Sequence, residues 1–323
     1  MGGLKLTRTL LVLTLMAMTA TSQPMSVVSG DTGTLALVIN WGQVAVESLL
    51  EWAKNIFFST KVNEPTGHGP SHKILIIGGE IAAPSGPSGI SCNSTKIIDL
   101  QNDDFVCNLP DYPVRMQAGV GGIVEDDIPL ICGGYWKRGR SIYECFKLVD
   151  KSWEIADVLE TDRVFMGTGD VVINKKLLLS GGYDGDSVSD KMSLMDTISS
   201  TIKLKDMPKA IRSHCIVKLD QSKILLIGGD DDNGKRSETL IFNLENQQWS
   251  DGPRMRQKRR SHGCVKGNLN GKPIIWVTGG YGDNRLKSTE YLDLENLNQG
   301  WQSGTFHVIS FYKFTSFLHN NIL

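Results

Sequence analysis

The chain has 323 residues, and its 34 Lys and Arg against 35 Asp and Glu give a formal net charge of −1. A charged fraction of 21% and a hydrophobic fraction of 40% are typical of a globular protein. They exclude a disordered chain and a polytopic membrane protein, and the charge balance gives no reason to expect a nucleic acid partner. The 34 glycines show no collagen period and indicate many tight turns between short strands.

Residues 1–22 have the pattern of a secretory signal peptide. Lys5 and Arg8 precede an apolar run over 10–20, and its 11 residues are too few to cross a bilayer. Small side chains then predict cleavage after Ser22, and an uncleaved anchor is the alternative. We therefore expect a secreted protein whose mature chain has no membrane span.

The cysteines and one sequon agree with an extracellular location. An even number of cysteines in a secreted chain indicates disulfide bonds. All six cysteines lie beyond the cleavage site: Cys92, Cys107, Cys132, Cys145, Cys215 and Cys264. The sequence Asn93-Ser94-Thr95 predicts an N-linked glycan on Asn93.

Residues 23–72 form an N-terminal segment that precedes the repeats. Within 35–58 apolar residues recur at intervals of three and four, which predicts an amphipathic helix. Its apolar face consists of Val38, Trp41, Ala45, Leu49, Trp52 and Ile56. Packing on its own domain is the favoured interpretation because two Trp suit a packed face. A coiled-coil or membrane-surface helix is the alternative. Residues 59–72 are rich in Gly and Pro and indicate a linker.

From residue 73 onward, a short aliphatic run that ends in two glycines recurs five times. The glycine pairs are Gly78-Gly79, Gly133-Gly134, Gly181-Gly182, Gly228-Gly229 and Gly279-Gly280. Their second members are 55, 48, 47 and 51 residues apart. A bulky residue follows each pair: Phe105, Trp153, Ile202, Trp249 and Trp301. The aliphatic run predicts a strand buried on both faces, and each unit has room for four antiparallel strands.

A further apolar residue precedes the bulky one, as Phe242 precedes Trp249 by seven residues. In the fifth unit Leu292 precedes Trp301 by nine residues, which indicates a longer turn. This combination resembles the kelch-repeat family over about residues 73–303. The resemblance implies an all-β fold, a kelch-type β-propeller over 73–304 with five recognisable four-stranded blades.

Kelch propellers usually close with six or seven blades, and no first strand for the first blade is evident in 59–72. The tail 305–323 is atypical, because it has five aromatic residues and no glycine pair. These features favour an incomplete six-bladed propeller, and a stray closing strand from the tail is the alternative.

One cysteine pair is predicted from hairpin symmetry. The loop 135–141 has its midpoint at 138, and Cys132 and Cys145 have theirs at 138.5. These cysteines should face each other across the hairpin, close enough for a disulfide. The remaining cysteines are less clear. Cys92 and Cys107 flank the next hairpin of the first blade and form a second predicted pair.

The cysteines Cys215 and Cys264 occupy similar places in successive blades. A disulfide and two buried free thiols are both compatible with that placement.

The segment 254–260 contains five cations in seven residues. Within it Arg256, Lys258 and Arg259 resemble a proprotein-convertase cleavage site, and a heparin or nucleic acid patch is a second interpretation. A solvated loop between strands is favoured over both, because the chain is neutral overall.

Two acidic loops and two histidines are candidates for metal binding. Residues 230–234 and 183–186 follow glycine pairs but lack EF-hand spacing, so ordinary polar loops are favoured over Ca²⁺ sites. His214 and His262 each follow Arg-Ser at equivalent blade positions, which favours a packing role over a metal site in a central channel.

The chain has no Gly-x-Ser-x-Gly, His-Glu-x-x-His or phosphate-binding motif. The sequence therefore favours a secreted, non-catalytic scaffold without a cofactor. Its contact face, for a protein or a glycan, would be the loops 135–141, 183–190, 230–237 and 281–288. One alternative is an extracellular enzyme on the same fold, such as a galactose-oxidase-like copper enzyme or a sugar-modifying enzyme. Another is a truncated product with little independent function.

Overall fold

The computed structural model describes residues 25–29, 35–39, 73–81, 90–99, 105–106, 109–116, 118–125, 128–136, 140–159, 166–169, 171–197, 201–269 and 272–304. These residues form mainly strands, with a short 3-10 helix in the fifth repeat, and they contain no α-helix. None of the described segments is a helix that is long and apolar enough to cross a membrane.

The N-terminal segment contains an antiparallel hairpin of two strands, β1 (Met25–Ser29) and β2 (Leu35–Ile39). The helix predicted over 35–58 is therefore wrong for its first residues, including Val38, which pairs with Ser26. The five residues of β2 are all aliphatic and include two β-branched side chains, which fit an extended strand better than a helix. The rest of that prediction, from residue 40 to 58, lies outside the described residues.

The five repeats form five successive sheets, which we call blades 1 to 5. Blade 1 has three described strands: β3 (Lys73–Ile81), β4 (Ile90–Asp99) and β5 (Phe105–Val106). Blade 2 has β6 (Val120–Val124), β7 (Ile128–Cys132), a small hairpin of β8 (Tyr135–Trp136) and β9 (Arg140–Ser141), then β10 (Glu144–Val149) and β11 (Ser152–Val158).

A short strand, β12 (Thr168–Gly169), precedes blade 3. Blade 3 consists of β13 (Val172–Ile173), β14 (Lys176–Ser180), β15 (Met192–Met195) and β16 (Ile202–Lys203). Blade 4 consists of β17 (Cys215–Lys218), β18 (Lys223–Ile227), the hairpin of β19 (Asp230–Asp231) and β20 (Gly234–Lys235), then β21 (Thr239–Asn243) and β22 (Gln248–Gly252). Blade 5 consists of β23 (Gly263–Leu269), β24 (Lys272–Thr278), β25 (Thr289–Asp293), the 3-10 helix Leu297–Gln299 and β26 (Gln302–Ser303).

In blades 2 to 5 the aliphatic run before the glycine pair forms the second strand of the blade. In blade 4, β18 pairs antiparallel with β17 on one side and with β21 on the other. Four of its five residues are buried, because neighbouring blades cover both faces. The short strand β12, which precedes blade 3 in the chain, pairs in parallel with β17 and so extends the sheet of blade 4.

The glycine pairs are required by backbone conformation and by close packing between blades. Gly181 and Gly228 have φ of 57° and 59°, a region that favours glycine. A Cβ atom at Gly181 would lie 2.0 Å from the carbonyl oxygen of Ile211, in the segment that leads into the next blade. The next glycine, Gly182, donates its N–H to that same carbonyl over 3.0 Å. The glycine pair therefore joins successive blades through main-chain contacts.

Three tryptophan side chains at the last strands of their blades donate hydrogen bonds to the main chain of a neighbouring segment. The indole N–H of Trp153 donates to the carbonyl of Pro110 at 3.1 Å, Trp249 to Asp206 at 2.9 Å, and Trp301 to Pro253 at 2.8 Å. In each case the acceptor lies in the segment that connects the preceding blade to the blade of the tryptophan. Blade 3 has Ile202 at this position, which has no N–H to donate and whose side chain is 45% exposed.

The longer turn predicted in the fifth unit is present. The 3-10 helix Leu297–Gln299 lies between β25 and Trp301, within the nine-residue interval that follows Leu292. Leu292 and Trp301 are nevertheless both buried in the core shared by blades 4 and 5, so the extra residues are accommodated outside the core.

Candidate functional site

The loops that follow the glycine pairs are small hairpins. In blades 2 and 4 these loops form the strand pairs β8–β9 and β19–β20. In blades 3 and 5 single bridges close them, Tyr183 with Val188 and Tyr281 with Arg285. Each of these loops therefore follows a glycine pair and is closed by β pairing between its own two ends.

One side-chain network connects the loops of blades 3, 4 and 5. Arg212 directs its guanidinium at the ring of Tyr183 from blade 3, with its Cζ 5.0 Å from the ring centroid. Its Nε and Nη2 donate to Oδ2 of Asp230 in blade 4, over 3.3 and 3.2 Å. The backbones of Arg212 and Asp230 also exchange two N–H···O bonds of 2.9 Å.

Arg260 repeats this arrangement one blade further on. Its Nη1 donates to the same Oδ2 of Asp230 over 2.6 Å, and its Cζ lies 5.6 Å from the ring centroid of Tyr281. The backbones of Arg260 and Tyr281 exchange N–H···O bonds of 3.1 and 2.9 Å. A second cation contacts this ring, because Nζ of Lys235 lies 5.0 Å from the ring centroid of Tyr281.

We call these five residues the arginine row: Tyr183, Arg212, Asp230, Arg260 and Tyr281. The side chain of Asp230 is 5% exposed, whereas those of Arg212 and Arg260 are each 25% exposed. Two cations share one buried carboxylate, so the row has a surplus of one positive charge, and Lys235 adds a second. The row can hold a carboxylate or another anion at a place fixed by the backbone.

The neighbouring Arg259 is buried, which the sequence did not predict. Its Nη2 donates to Oε1 of Glu290 over 2.7 Å, and its Nη1 donates to the carbonyl of Gly279 over 2.8 Å. Glu290 also accepts the backbone N–H groups of Arg256 and Gln257. Desolvation lowers the pKa of Arg259, and the adjacent carboxylate opposes that shift.

This burial changes the interpretation of the basic segment 254–260. A convertase needs an extended, accessible segment, and in this fold Arg259 of the predicted motif lies in the core beside blade 5. Arg256 and Lys258 are exposed, but Arg259 and Arg260 both pair with carboxylates. A protease could bind the predicted motif only after Arg259 had left this buried position, and the cleavage site stays a prediction. Arg254, Arg256 and Lys258 are exposed, as expected of a loop between strands, whereas Arg259 is not.

His214 and His262 lie buried beside the glycine pairs of successive blades. His214 Nε2 is 2.9 Å from the hydroxyl of Ser180, and neither ring nitrogen of His262 has a hydrogen-bond partner among the described residues. Burial lowers the pKa of His214 to about 3. Burial, then Arg259 and His214, lower the pKa of His262 well below its usual value.

The acidic loops use their oxygens within the protein. Asp230 binds two arginines, and Asp231 forms an ion pair with Arg236. Asp184 accepts the backbone N–H groups of Asp186 and Ser187 at 3.0 and 2.8 Å. Across the described part of the chain, no group of three or more His, Cys, Asp or Glu is placed to hold a metal ion.

Two cysteine pairs lie at bonding distance. Cys132 and Cys145 are opposite each other on β7 and β10, and their sulfur atoms are 2.12 Å apart. Cys215 and Cys264, for which the sequence left the thiol alternative open, have sulfur atoms 2.02 Å apart. The second pair connects the first strand of blade 4 to the first strand of blade 5.

The predicted pair Cys92 and Cys107 is not tested, because Cys107 lies outside the described residues. Cys92 and Asn93 lie in β4, at an irregularity where the pairing shifts between Ile77 and Gly79. The glycan on Asn93 stays a prediction.

The arginine row was missed because its members are distant in sequence. Arg212 and Asp230 are 18 residues apart, and Asp230 and Arg260 are 30 apart. The repeated Arg-Ser-His was noticed for its histidines, although the arginine of each triplet supplies the exposed charge. The signal that could have found the row is therefore the Arg of Arg-Ser-His together with the residue that follows each glycine pair.

Comparison with known proteins agrees with the repeat pattern. No protein-family model matches the chain. The chain is 27% identical over 119 residues to the Kelch repeat and BTB domain-containing protein F47D12.7 of Caenorhabditis elegans, an alignment that covers 35% of this chain and 21% of that protein. It is 28% identical over 213 residues to Beta-scruin of Limulus polyphemus, covering 58% of this chain and 21% of that protein. The chain thus spans about one fifth of the length of the curated relatives it matches.

A solved chain titled "Structure of YjhT" superposes with a TM-score of 0.49 at 18% identity, over 61% of this chain and 67% of that chain. The glycine-pair repeats and the successive antiparallel sheets define the fold as a kelch-type β-propeller. The likeness to a protein named for its kelch repeat supports the resemblance of the chain to the kelch-repeat family.

Proposed function

We propose that the protein is an extracellular, non-catalytic kelch propeller that binds an acidic segment of a protein partner through the arginine row. The observation that carries this proposal is the pair of partly exposed guanidinium groups that share one buried carboxylate. A protein partner is favoured over a glycan because the guanidinium groups of the row suit a carboxylate side chain, and the adjacent tyrosine rings suit the apolar part of a peptide.

The row is prepared for binding because its backbone is fixed before any ligand arrives. Arg212 is paired with Asp230, and Arg260 with Tyr281, through two main-chain hydrogen bonds each. Ordering of loops and side chains is a large part of the free-energy cost of association. A site whose loops and cations are already ordered loses less on binding, and its surplus charge speeds the encounter with an anionic partner.

The extracellular location is supported by the signal-like N-terminus and by two cysteine pairs at bonding distance, which persist in oxidising compartments. Expression in a secretory host tests it, with intact masses of the medium measured before and after deglycosylation and thiol alkylation. We expect a species that starts at Gln23, loses a glycan from Asn93 and resists alkylation at the four cysteines of these pairs. Retention inside the cell, or alkylation of those cysteines without reduction, would contradict the extracellular part of the proposal.

The binding part is tested with a fluorescein-labelled oligoglutamate peptide and fluorescence anisotropy. Wild type should bind it saturably and more weakly as salt rises. The double substitution Arg212→Gln with Arg260→Gln should weaken binding tenfold or more, on the order of 1.4 kcal/mol. The control Arg256→Gln with Lys209→Gln removes the same charge from two exposed side chains outside the row and should change affinity by less than about twofold.

Loss of both arginines leaves Asp230 buried without a cation, which could weaken the fold itself. A third variant therefore adds Asp230→Asn to the double substitution, and its thermal midpoint is compared with wild type. If this variant is folded and still binds oligoglutamate as tightly as wild type, the row is not the site. Tighter binding of heparin than of oligoglutamate, retained by the double variant, would indicate a glycan-binding surface elsewhere.

A further inference from the structure

The turn of the hairpin β19–β20 contains an exposed asparagine that is followed by a glycine, Asn233-Gly234. Asp231 pairs with Gly234, and Asp232 and Asn233 form the turn between them. The backbone N–H of Asn233 donates to Oδ1 of Asp231 over 2.9 Å, which fixes the turn. Asn233 is exposed, and its side-chain amide makes no hydrogen bond with any described residue.

We propose that Asn233 is a site of spontaneous deamidation, and that this modification acts on the neighbouring arginine row. The backbone nitrogen of Gly234 attacks Cγ of Asn233 and forms a new C–N bond. The bond from Cγ to Nδ2 breaks, and ammonia leaves with the proton of the glycine N–H. Water then opens the resulting succinimide at either carbonyl, which gives aspartate or isoaspartate, so water is the only co-reactant.

The local geometry favours this reaction at Asn233. The attack needs a following residue that is not shielded by its own side chain, and Gly234 has none. The space beside Gly234 is open, because an added Cβ would have no atom within 4 Å. The φ of Gly234 is 113°, which glycine adopts readily and other residues adopt only at a cost. The nitrogen must leave its pairing with Asp231, and that pairing belongs to a ladder of only two residues per strand, which opens at low cost.

The second part of the inference rests on the proposed function. Deamidation converts a neutral side chain into a carboxylate two residues from Lys235, whose ammonium lies over the ring of Tyr281. The surplus charge of the row with Lys235 then falls from two to one. Isoaspartate also lengthens the main chain by one carbon, which displaces β20 relative to β19. Both changes should weaken the binding of an acidic segment.

The modification is tested by incubating the folded, secreted protein at mildly alkaline pH and mapping its peptides by mass over time. We expect the peptide with Asn233 to gain about one mass unit and to split into aspartate and isoaspartate forms. Asn246, which is also exposed in a turn but precedes Gln247, is the internal control and should change at least tenfold more slowly. Conversion of Asn233 no faster than Asn246 would overturn the inference.

Two variants separate the modification from its consequence. Asn233→Gln should stop the mass change at this position while leaving the other Asn-Gly sequence, Asn270-Gly271, to react as before. Asn233→Asp should bind the oligoglutamate peptide about twofold more weakly than fresh wild type, because it adds one exposed negative charge two residues from Lys235. Unchanged binding by Asn233→Asp overturns the second part. Failure of fresh wild type to bind oligoglutamate contradicts the proposed function and leaves the mass result standing.

Discussion

The junction between blades 3 and 4 and the junction between blades 4 and 5 use the same backbone with different side chains. At the first junction Gly182 donates to the carbonyl of Ile211, and at the second Gly229 donates to the carbonyl of Arg259, so Ile211 and Arg259 are equivalent. Ile211 belongs to a hydrophobic core, whereas Arg259 is buried against Glu290.

The partner positions also correspond. Thr239 and Thr289 each pair with the residue before a glycine pair, and the following residues are Leu240 and Glu290. One junction therefore carries Ile and Leu where the next carries Arg and Glu. The comparison shows that main-chain contacts to the glycine pairs define the junction, and that an apolar or an ionic pair can complete it.

The largest effect is expected when the ionic pair is broken. Glu290→Leu leaves the guanidinium of Arg259 buried without its carboxylate, and the free energy of unfolding should fall by about 3–5 kcal/mol. Urea unfolding followed by Trp fluorescence measures this fall. The matched change at the other junction, Leu240→Met, should cost less than about 1.5 kcal/mol because it keeps volume and apolarity. Equal losses for the two variants would show that the ion pair has no special role.

The next effect concerns the disulfide between Cys215 and Cys264, which spans 49 residues and ties blade 4 to blade 5. No described cysteine pair ties blade 3 to blade 4. Replacing both cysteines by Ser should lower the free energy of unfolding by about 2–4 kcal/mol, because the unfolded chain gains freedom. The same replacement of Cys132 and Cys145, which close 13 residues within blade 2, should cost less. The reverse order would contradict this account.

Acid should weaken both junctions through their histidines. In the folded state the pKa of His214 is about 3 and that of His262 is also depressed. Unfolding raises both pKa values toward about 6.5, so the unfolded state binds more protons. The two histidines therefore make their full contribution to the free energy of unfolding above about pH 6.5. This contribution is lost as the pH falls, at roughly 1.4 kcal/mol per pH unit for each histidine.

Urea unfolding between about pH 7 and pH 5 tests this dependence, before most carboxylates titrate. In the variant His262→Leu, the free energy of unfolding should depend less steeply on pH, because only His214 still contributes. An unchanged slope would mean that His262 does not titrate in this range on unfolding.

The smallest effect is expected when the ionic junction is converted into the apolar one. The double substitution Arg259→Ile with Glu290→Leu copies the side chains of the blade 3–4 junction and should change the free energy of unfolding by less than about 1–2 kcal/mol. The difference between this variant and Glu290→Leu alone measures the penalty of the unpaired guanidinium. A double variant as unstable as the single one would show that the two junctions are not interchangeable.

Much of the fold follows from the sequence because local patterns determine it. The aliphatic run before Gly228-Gly229 forms the predicted buried strand, and the hairpin symmetry of Cys132 and Cys145 predicts the pair that the structure brings together. The extra residues between Leu292 and Trp301 become a 3-10 helix in the predicted longer turn.

The features that the sequence did not reveal depend on contacts between blades. Arg259 looks like any other cation of a basic segment until Glu290, 31 residues later, is placed beside it. Charge and spacing alone cannot distinguish Arg256, which is exposed, from Arg259, which is buried. The helix predicted over 35–58 is wrong at residues 35–39 for a different reason, because a short apolar run there fits a strand as well as a helix.

The main-chain hydrogen bonds that hold the arginine row have an evolutionary consequence. Positions 212, 230, 260 and 281 are kept in place by backbone groups, which every residue except proline supplies in full. Mutations there can exchange charge, size or aromaticity while the loops keep their shape. A gene duplication followed by changes at these few positions could therefore produce a new binding preference on an unaltered framework.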